Sequence, residues 1–386
     1  MKRLSLYVFL VLMFFLNLNV YAIDLIPDNP PPPDGVVYKG VNAEQWKIIH
    51  KLGDPLNCRK QVYDLQKLNI KKFFEITEKD CLKNKNCIND ALIKHDRILL
   101  RKGTYKIGVE GIRLENKILS GYPGEIIIIN AQNAPTAVTI DKSIISNLII
   151  QNSANIGIQI IQDNLIYRVV VGNTGIYSKG STRGIAFSQS GYFFSSGNCI
   201  VSAEAYNSYN HSFGFGEKCK GCSADGFDVK HGASDATFID AHGHHNSDHA
   251  FDFYMGGNLS SPKPVIRVFY SSGNRSRNLL KRGGNNDGWK LDGDGQKSVE
   301  LSRLIYGSVA CNNPVNGFTK PGKTNLIFFG NQSRGNKNNA LTGKKYKETT
   351  LSSWGNKKVK DPHILKCKNF KKVKKFRYFD IPLDLN

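Results

Sequence analysis

Asn246-Ser247-Asp248-His249-Ala250-Phe251 is a phrase that the chain repeats: an Asn stands four residues before a Gly or Ala, and an apolar residue follows at once. The same spacing occurs at Asn210/Gly214-Phe215, Asn313/Gly317-Phe318 and Asn336/Ala340-Leu341. Cys222 takes the Asn place before Gly226-Phe227, and a related run, Gly284 to Gly288-Trp289, also lacks the Asn. In places the interval is one coil of roughly 23 residues, and it is longer where loops are inserted. Asn side chains stacked at an internal bend satisfy one another's amides along an axis, as in cross-β ladders. One strand–turn phrase per unit of this length means a solenoid, each coil resting on its neighbours.

Short β-rich runs surround the phrase: Leu148 to Gln151, Gly157 to Ile161, Tyr167 to Val171, Thr237 to Ala241, Val265 to Tyr270, Leu301 to Tyr306 and Asn325 to Phe329. Turn residues separate them. Alone, that pattern allows a sandwich, a propeller or a solenoid. The recurring phrase selects an all-β parallel β-helix over residues 98–342. Ahead of it, residues 45–97 place Val62, Leu65, Leu68 and Ile70 at helical spacing, which predicts a short helical N-terminal cap.

The first residues set the compartment. Lys2 and Arg3 precede an apolar run from Leu4 to Leu16, and Val20-Tyr21-Ala22 fits a small-x-small cleavage site, so residues 1–22 read as a signal peptide. Asn17 and Asn19 end the run short of the roughly 20 residues that span a bilayer. The mature chain is expected to be secreted, extracellular or periplasmic, as a monomer without a membrane span. Residues 23–44, with Pro30 to Pro33, form a Pro-rich leader.

Net charge is +21, of which Lys2 and Arg3 account for two. Such an excess speeds encounter with polyanions and says nothing of fold. For an exported chain it points to an acidic polysaccharide or a membrane surface rather than nucleic acid. A tail over 343–386 is strongly basic, with 13 Lys/Arg between Lys344 and Arg377 against Glu348 and Asp361. It is expected to pack on the solenoid or extend from it. The 8 cysteines favour disulfides in an exported chain, with Cys81 and Cys87 a plausible local loop.

Chemistry concentrates between Ser223 and Thr319. Asp225-Gly226-Phe227 is followed by Asp248-His249-Ala250-Phe251-Asp252, then Asp287-Gly288-Trp289-Lys290-Leu291 and Asn316-Gly317-Phe318-Thr319. If each phrase takes the same angular position on successive coils, Asp225, Asp248, Asp252 and Lys290 project into one patch. Hard cations such as Ca²⁺ take several carboxylate oxygens at about 2.3–2.6 Å. A lysine beside the ion would have its pKa lowered and become available as a base. His242, His244 and His245 suggest zinc at first sight, but no closing ligands are evident.

These phrases, in this order, resemble those of polysaccharide lyase family 9, the pectate lyase L-like enzymes. The resemblance spans roughly Leu99 to Asn339 and implies a right-handed parallel β-helix. It carries Asp225, Asp248 and Asp252 over as calcium ligands and Lys290 as the catalytic base. It departs at His249, where the family has the second Asp of a pair, and at Ala250, where the family has Gly. Imidazole is a poor calcium ligand, so the change should weaken the metal site formed by Asp225, Asp248, His249 and Asp252 unless Asp228 or Asp287 compensates.

The implied reaction is Ca²⁺-assisted β-elimination on polygalacturonate or a related acidic polysaccharide, with Arg267, Arg275, Arg277 and Arg282 as candidate grips on its carboxylates. Two other readings stay open: a non-catalytic glycan-binding or adhesin solenoid, and a lyase for a different uronate polymer.

Overall fold

The computed structural model describes residues 58–352, apart from 133, 177–182, 191–194, 212–221, 231–232, 234, 254–264, 275–283, 285–286, 292–301, 320–324, 330 and 343–350, together with Cys367 and Tyr378. The expected signal peptide, the leader and nearly all of the basic tail lie outside the described residues. Among the described residues, no helix is long and apolar enough to cross a membrane.

Among the described residues, the strands form one 18-stranded and one 9-stranded sheet. The smaller sheet contains β1 (Ile112–Glu115), β2 (Thr136–Asp141), β3 (Ile156–Ile160), β4 (Ile185–Ser190), β5 (Phe227–Lys230), β6 (Phe251–Asp252), β7 (Trp289–Lys290), β8 (Asn316–Thr319) and β9 (Asn338–Thr342). They pair in sequence order, and every pairing is parallel. Parallel neighbours cannot be joined by a tight hairpin. Each connection instead passes through the larger sheet and returns one coil further on, so the chain is a parallel β-helix.

Sequence alternation explains the core. Strands such as Ile112–Glu115 and Ile127–Asn130 alternate buried and more exposed positions, which suits a pleated surface with one face inward. Ile98, Leu119, Ile145, Ile166, Ile200, Phe238, Ile266 and Ile305 are almost fully buried, in one cluster that runs along the axis.

The bends are equally regular. The residue just after five strands of one row is left-handed: Asn152, Asn173, Asn207, His245 and Asn312 have φ of 67°, 53°, 53°, 56° and 58°. Asn tolerates this conformation better than most residues. Asn207 Nδ2 donates to Asn173 Oδ1 at 2.7 Å, and Asn152 Nδ2 to Asn130 Oδ1 at 3.2 Å.

The expected Asn phrase also forms a ladder. Asn313 Nδ2 donates to Asn336 Oδ1 at 2.9 Å across 23 residues, and Asn246 joins the neighbouring coil through Ser208 N and Ala205 O.

The segment expected as a cap holds helices α1 (Cys58–Gln66), α2 (Glu78–Cys81) and α3 (Cys87–Lys94). It also holds a strand, Phe74–Ile76, that already pairs with Arg97–Leu100. Disulfides Cys58–Cys199 and Cys311–Cys367 tie the first helix and one point of the tail to the coils, while Cys81–Cys87 closes the loop between α2 and α3. Tyr378 accepts a second contact of the tail, its carbonyl receiving a bond from Arg168 while its hydroxyl donates to Asp240.

Candidate functional site

Strands β4 to β8 position the site through an internal stack of rings. Phe187, Phe227, Phe251, Trp289 and Phe318 are register partners on successive coils, all buried. Their rings stack at centroid distances of 4.8, 4.7, 3.8 and 5.5 Å. Such pairs add about 0.5–1.5 kcal/mol each beyond area burial. They also fix what comes next, because the following residue of each strand faces the other way. That row is Ser188, Asp228, Asp252, Lys290 and Thr319, again in register.

Glycine precedes the ring on three of these coils, and at two of them the neighbouring backbone comes close. A Cβ at Gly226 would lie 2.6 Å from Ala250 O, and one at Gly288 would lie 2.7 Å from Gly317 O. The Asp ahead of each of Gly226 and Gly288 therefore sits at the bend, beside the row.

The acidic residues converge there. Asp225 is fully buried; its Oδ1 accepts the His249 backbone N–H at 3.1 Å and faces His249 Nδ1 at 3.0 Å. Asp248 Oδ2 accepts Ser223 N–H at 2.8 Å and lies 3.4 Å from His249 Nδ1. Asp252 Oδ2 lies 3.9 Å from the same nitrogen and 3.5 Å from Lys290 Nζ. Asp287 Oδ1 accepts from Asn316 N at 2.9 Å and Nδ2 at 2.8 Å, and its Oδ2 is 3.8 Å from His249 Nε2.

A residue that the motif reading passed over occupies the middle. Lys230 Nζ lies 3.0 Å from Asp225 Oδ2, 3.1 Å from Asp228 Oδ1 and 2.9 Å from Asp252 Oδ2. Simple alternation contains the signal for it: Lys230 is two residues beyond Asp228 on the same strand and so shares its face.

These neighbours set the protonation of the groups. Burial opposes the charge on Lys230, yet Asp225, Asp228 and Asp252 hold its pKa well above the ordinary lysine value. Burial likewise opposes a charged His249, but Asp248, Asp225 and Asp252 push its pKa up to about 10. Burial would raise Asp225, and Lys230 with His249 overcomes it, holding the carboxyl far below the usual range. Asp252 is also lowered, with Lys230 and Lys290 outweighing burial. Burial wins at Asp228, pushed up to about 7, and at Asp287, which is raised.

The geometry thus brings Asp225, Asp248, His249, Asp252 and Lys290 to one place and adds Asp228, Asp287 and Lys230. Ligand atoms of Asp225, His249 and Asp252 all lie within 4.8 Å of one another. Several buried carboxylates around one ammonium form a seat for a cation, and their hard oxygens suit calcium, whereas the imidazole adds nothing to such a shell. Asp225, Asp248 and Asp252, with Asp228 in reach, would be the residues that hold the ion.

Other candidates lie elsewhere. Arg267 is buried on the larger sheet, 3.5 Å from Asp235, and does not reach the row. Arg275, Arg277 and Arg282 lie outside the described residues. His242 bonds Asp240 and Ser272 at 2.7 Å each, and His244 bonds Glu204 at 2.7 Å and His245 at 2.8 Å, which assigns the histidine run to the coil's own polar network.

Residues 87–358 match the family model described as "Pel9A-like, right handed beta helix region". Among solved structures, the chain is similar to one titled "Crystal structure of pectate lyase Pel9A", at 18% identity and a TM-score of 0.53, covering 70% of this chain and 71% of that one. A second, titled "Rhamnogalacturonan lyase", is similar at 15% identity and a TM-score of 0.42, covering 62% and 66%. A search of curated proteins found no match.

Proposed function

Because the chain belongs to the Pel9A-like right-handed β-helix family, we propose that it is a secreted polysaccharide lyase that breaks a polyuronate such as polygalacturonate by β-elimination. The observation that carries this reading is the register of Asp252 with Lys290, which sets an amine beside a carboxylate cluster on one face of the coil.

Lys290 is the base. Its side chain is 25% exposed, against 14% for Lys230, so it is the lysine of the pair more open to a polymer. The proton on C5 of a uronate passes to Lys290 Nζ, the freed electron pair forms the C4–C5 double bond, and the C4–O4 bond breaks. O4 leaves with the electrons of that bond and takes a proton from water. Lys290 Nζ donates to Asp252 Oδ2 at 3.5 Å, and the buried ring stack holds Asp252. A calcium ion seated by Asp225, Asp248 and Asp252 would supply positive charge next to the uronate carboxylate, where negative charge builds as C5 loses its proton.

The test is ultraviolet absorbance of unsaturated uronate product on a panel of polyuronates, with calcium and with chelator. Product from one or more polymers supports the lyase. Binding without product on every polymer identifies a glycan-binding protein instead.

A further inference from the structure

Lys230 meets three buried carboxylates in one place, with a hydrogen bond from Nζ to Asp225 Oδ2. Three ion-pair oxygens, Asp225 Oδ2, Asp228 Oδ1 and Asp252 Oδ2, lie between 2.9 and 3.1 Å from Nζ. Two of the three belong to the carboxylates that would seat a metal ion. A calcium ion that engaged both at about 2.3–2.6 Å would stand where Nζ stands, or within van der Waals contact of it. The two cations exclude one another.

Other parts of the molecule carry less. The Asp240–His242–Ser272 chain is taken up in bonds to Ser202 and Tyr378, with Ser272 fully buried. The groove beside α1, lined by Leu65, Leu68, Ile70 and Tyr167, has nothing to show what covers it.

We propose that Lys230 is a built-in competitor for calcium. Resting on the reading of the carboxylates as a metal seat, the proposal adds that the ammonium fills this seat when the ion is absent. It neutralises the buried carboxylates, keeps the coils folded without metal, and lowers calcium affinity. Entry of the ion expels Nζ along the side of the cluster where the lysine is 14% exposed. Asp228 is then released from its ion pair and becomes available as a further oxygen donor.

The experiment uses the full chain, stripped with chelator and titrated calorimetrically with calcium chloride without polysaccharide. Lys230→Gln is expected to bind calcium at least tenfold more tightly than the wild type, whereas Lys230→Arg, which keeps the charge, is expected to bind no better. Equal or weaker binding by Lys230→Gln overturns the proposal, as does tight binding by Lys230→Arg. Should Lys230→Gln be unfolded in chelator, calcium is expected to restore its circular dichroism.

If calcium does not restore it, wild-type labelling decides. Reductive methylation of Lys230, read by peptide mass spectrometry, is expected to speed up at least tenfold in saturating calcium; an unchanged rate overturns the proposal. These readouts are separable from the lyase reading, since a protein without lyase activity can pass them and an active lyase can fail them.

Discussion

Asp252 and Lys290 are register partners on adjacent parallel strands, and Lys290 Nζ lies 3.5 Å from Asp252 Oδ2. The pair exists because the residues just before them, Phe251 and Trp289, stack at 3.8 Å inside the coil. The geometry of this pair and the packing of the core are therefore linked through two consecutive residues on each strand.

That link predicts the cost of disturbing the core. Trp289 is fully buried and its Nε1 donates to Val309 O at 3.0 Å. Trp289→Ala should cost about 3–5 kcal/mol in denaturant unfolding, and Trp289→Phe markedly less because it keeps a stacking ring. A loss under about 1 kcal/mol for Trp289→Ala would mean that the stack does not support the coil.

The departure from the family at His249 has a direct test. His249→Asp puts another carboxylate against Asp225 and Asp248, now 3.0 and 3.4 Å from the imidazole. The metal-free variant should melt below the wild type, while its calcium affinity rises at least tenfold. Unchanged affinity would show that Asp228 already fills the position.

His249 also predicts a pH dependence for the chelated protein. Its pKa is raised in the folded state from 6.5 to about 10. The stability it contributes is complete below pH 6.5 and disappears as the pH rises to about 10. Asp225 behaves oppositely: its lowered pKa contributes above the ordinary carboxylate range and is lost as acid protonates it. The melting temperature in chelator should fall between pH 6.5 and 10, and His249→Gln should flatten that decline. An equally steep decline in the variant would assign it to other groups.

The disulfides should differ in weight. Cys58–Cys199 closes a separation of 141 residues and Cys81–Cys87 one of 6. Chain entropy gives about 5 and about 2 kcal/mol. Replacing the first pair by Ser should lower the unfolding midpoint by more than replacing the second; the reverse order would contradict the entropic account.

Much of this was legible in the chain. The spacing of Asn313 and Asn336 predicts a ladder, and their amides do bond across one coil. The strand expected at Asn325 to Phe329 matches to the residue, and Tyr167 to Val171 falls inside Leu165–Gly172. The phrases around Asp225, Asp248 and Lys290 predict one patch, and these side chains meet. Lys230 escaped notice because motif spacing compares corresponding positions on different coils, whereas Lys230 reaches the cluster from within β5, two residues beyond Asp228. Arg267 was misplaced because a basic residue near a motif says nothing of which sheet its strand joins. His245 belongs to a histidine run that suggests zinc at first sight but offers no closing ligands, and the left-handed bend it occupies is a backbone demand that composition does not display.

The central claim is that Lys290 removes the proton. A lysine with its ordinary pKa of about 10.4 is almost fully protonated at neutral pH, so the rate should climb with pH as the amine is freed. Arginine cannot replace it, since the guanidinium hardly deprotonates. The measurement is the initial rate of unsaturated product on polygalacturonate for the wild type, Lys290→Ala and Lys290→Arg, with circular dichroism as the folding control. Both variants should keep the wild-type spectrum and lose nearly all turnover. Lys290→Ala that folds and still turns over at more than a small fraction of the wild-type rate would contradict the account.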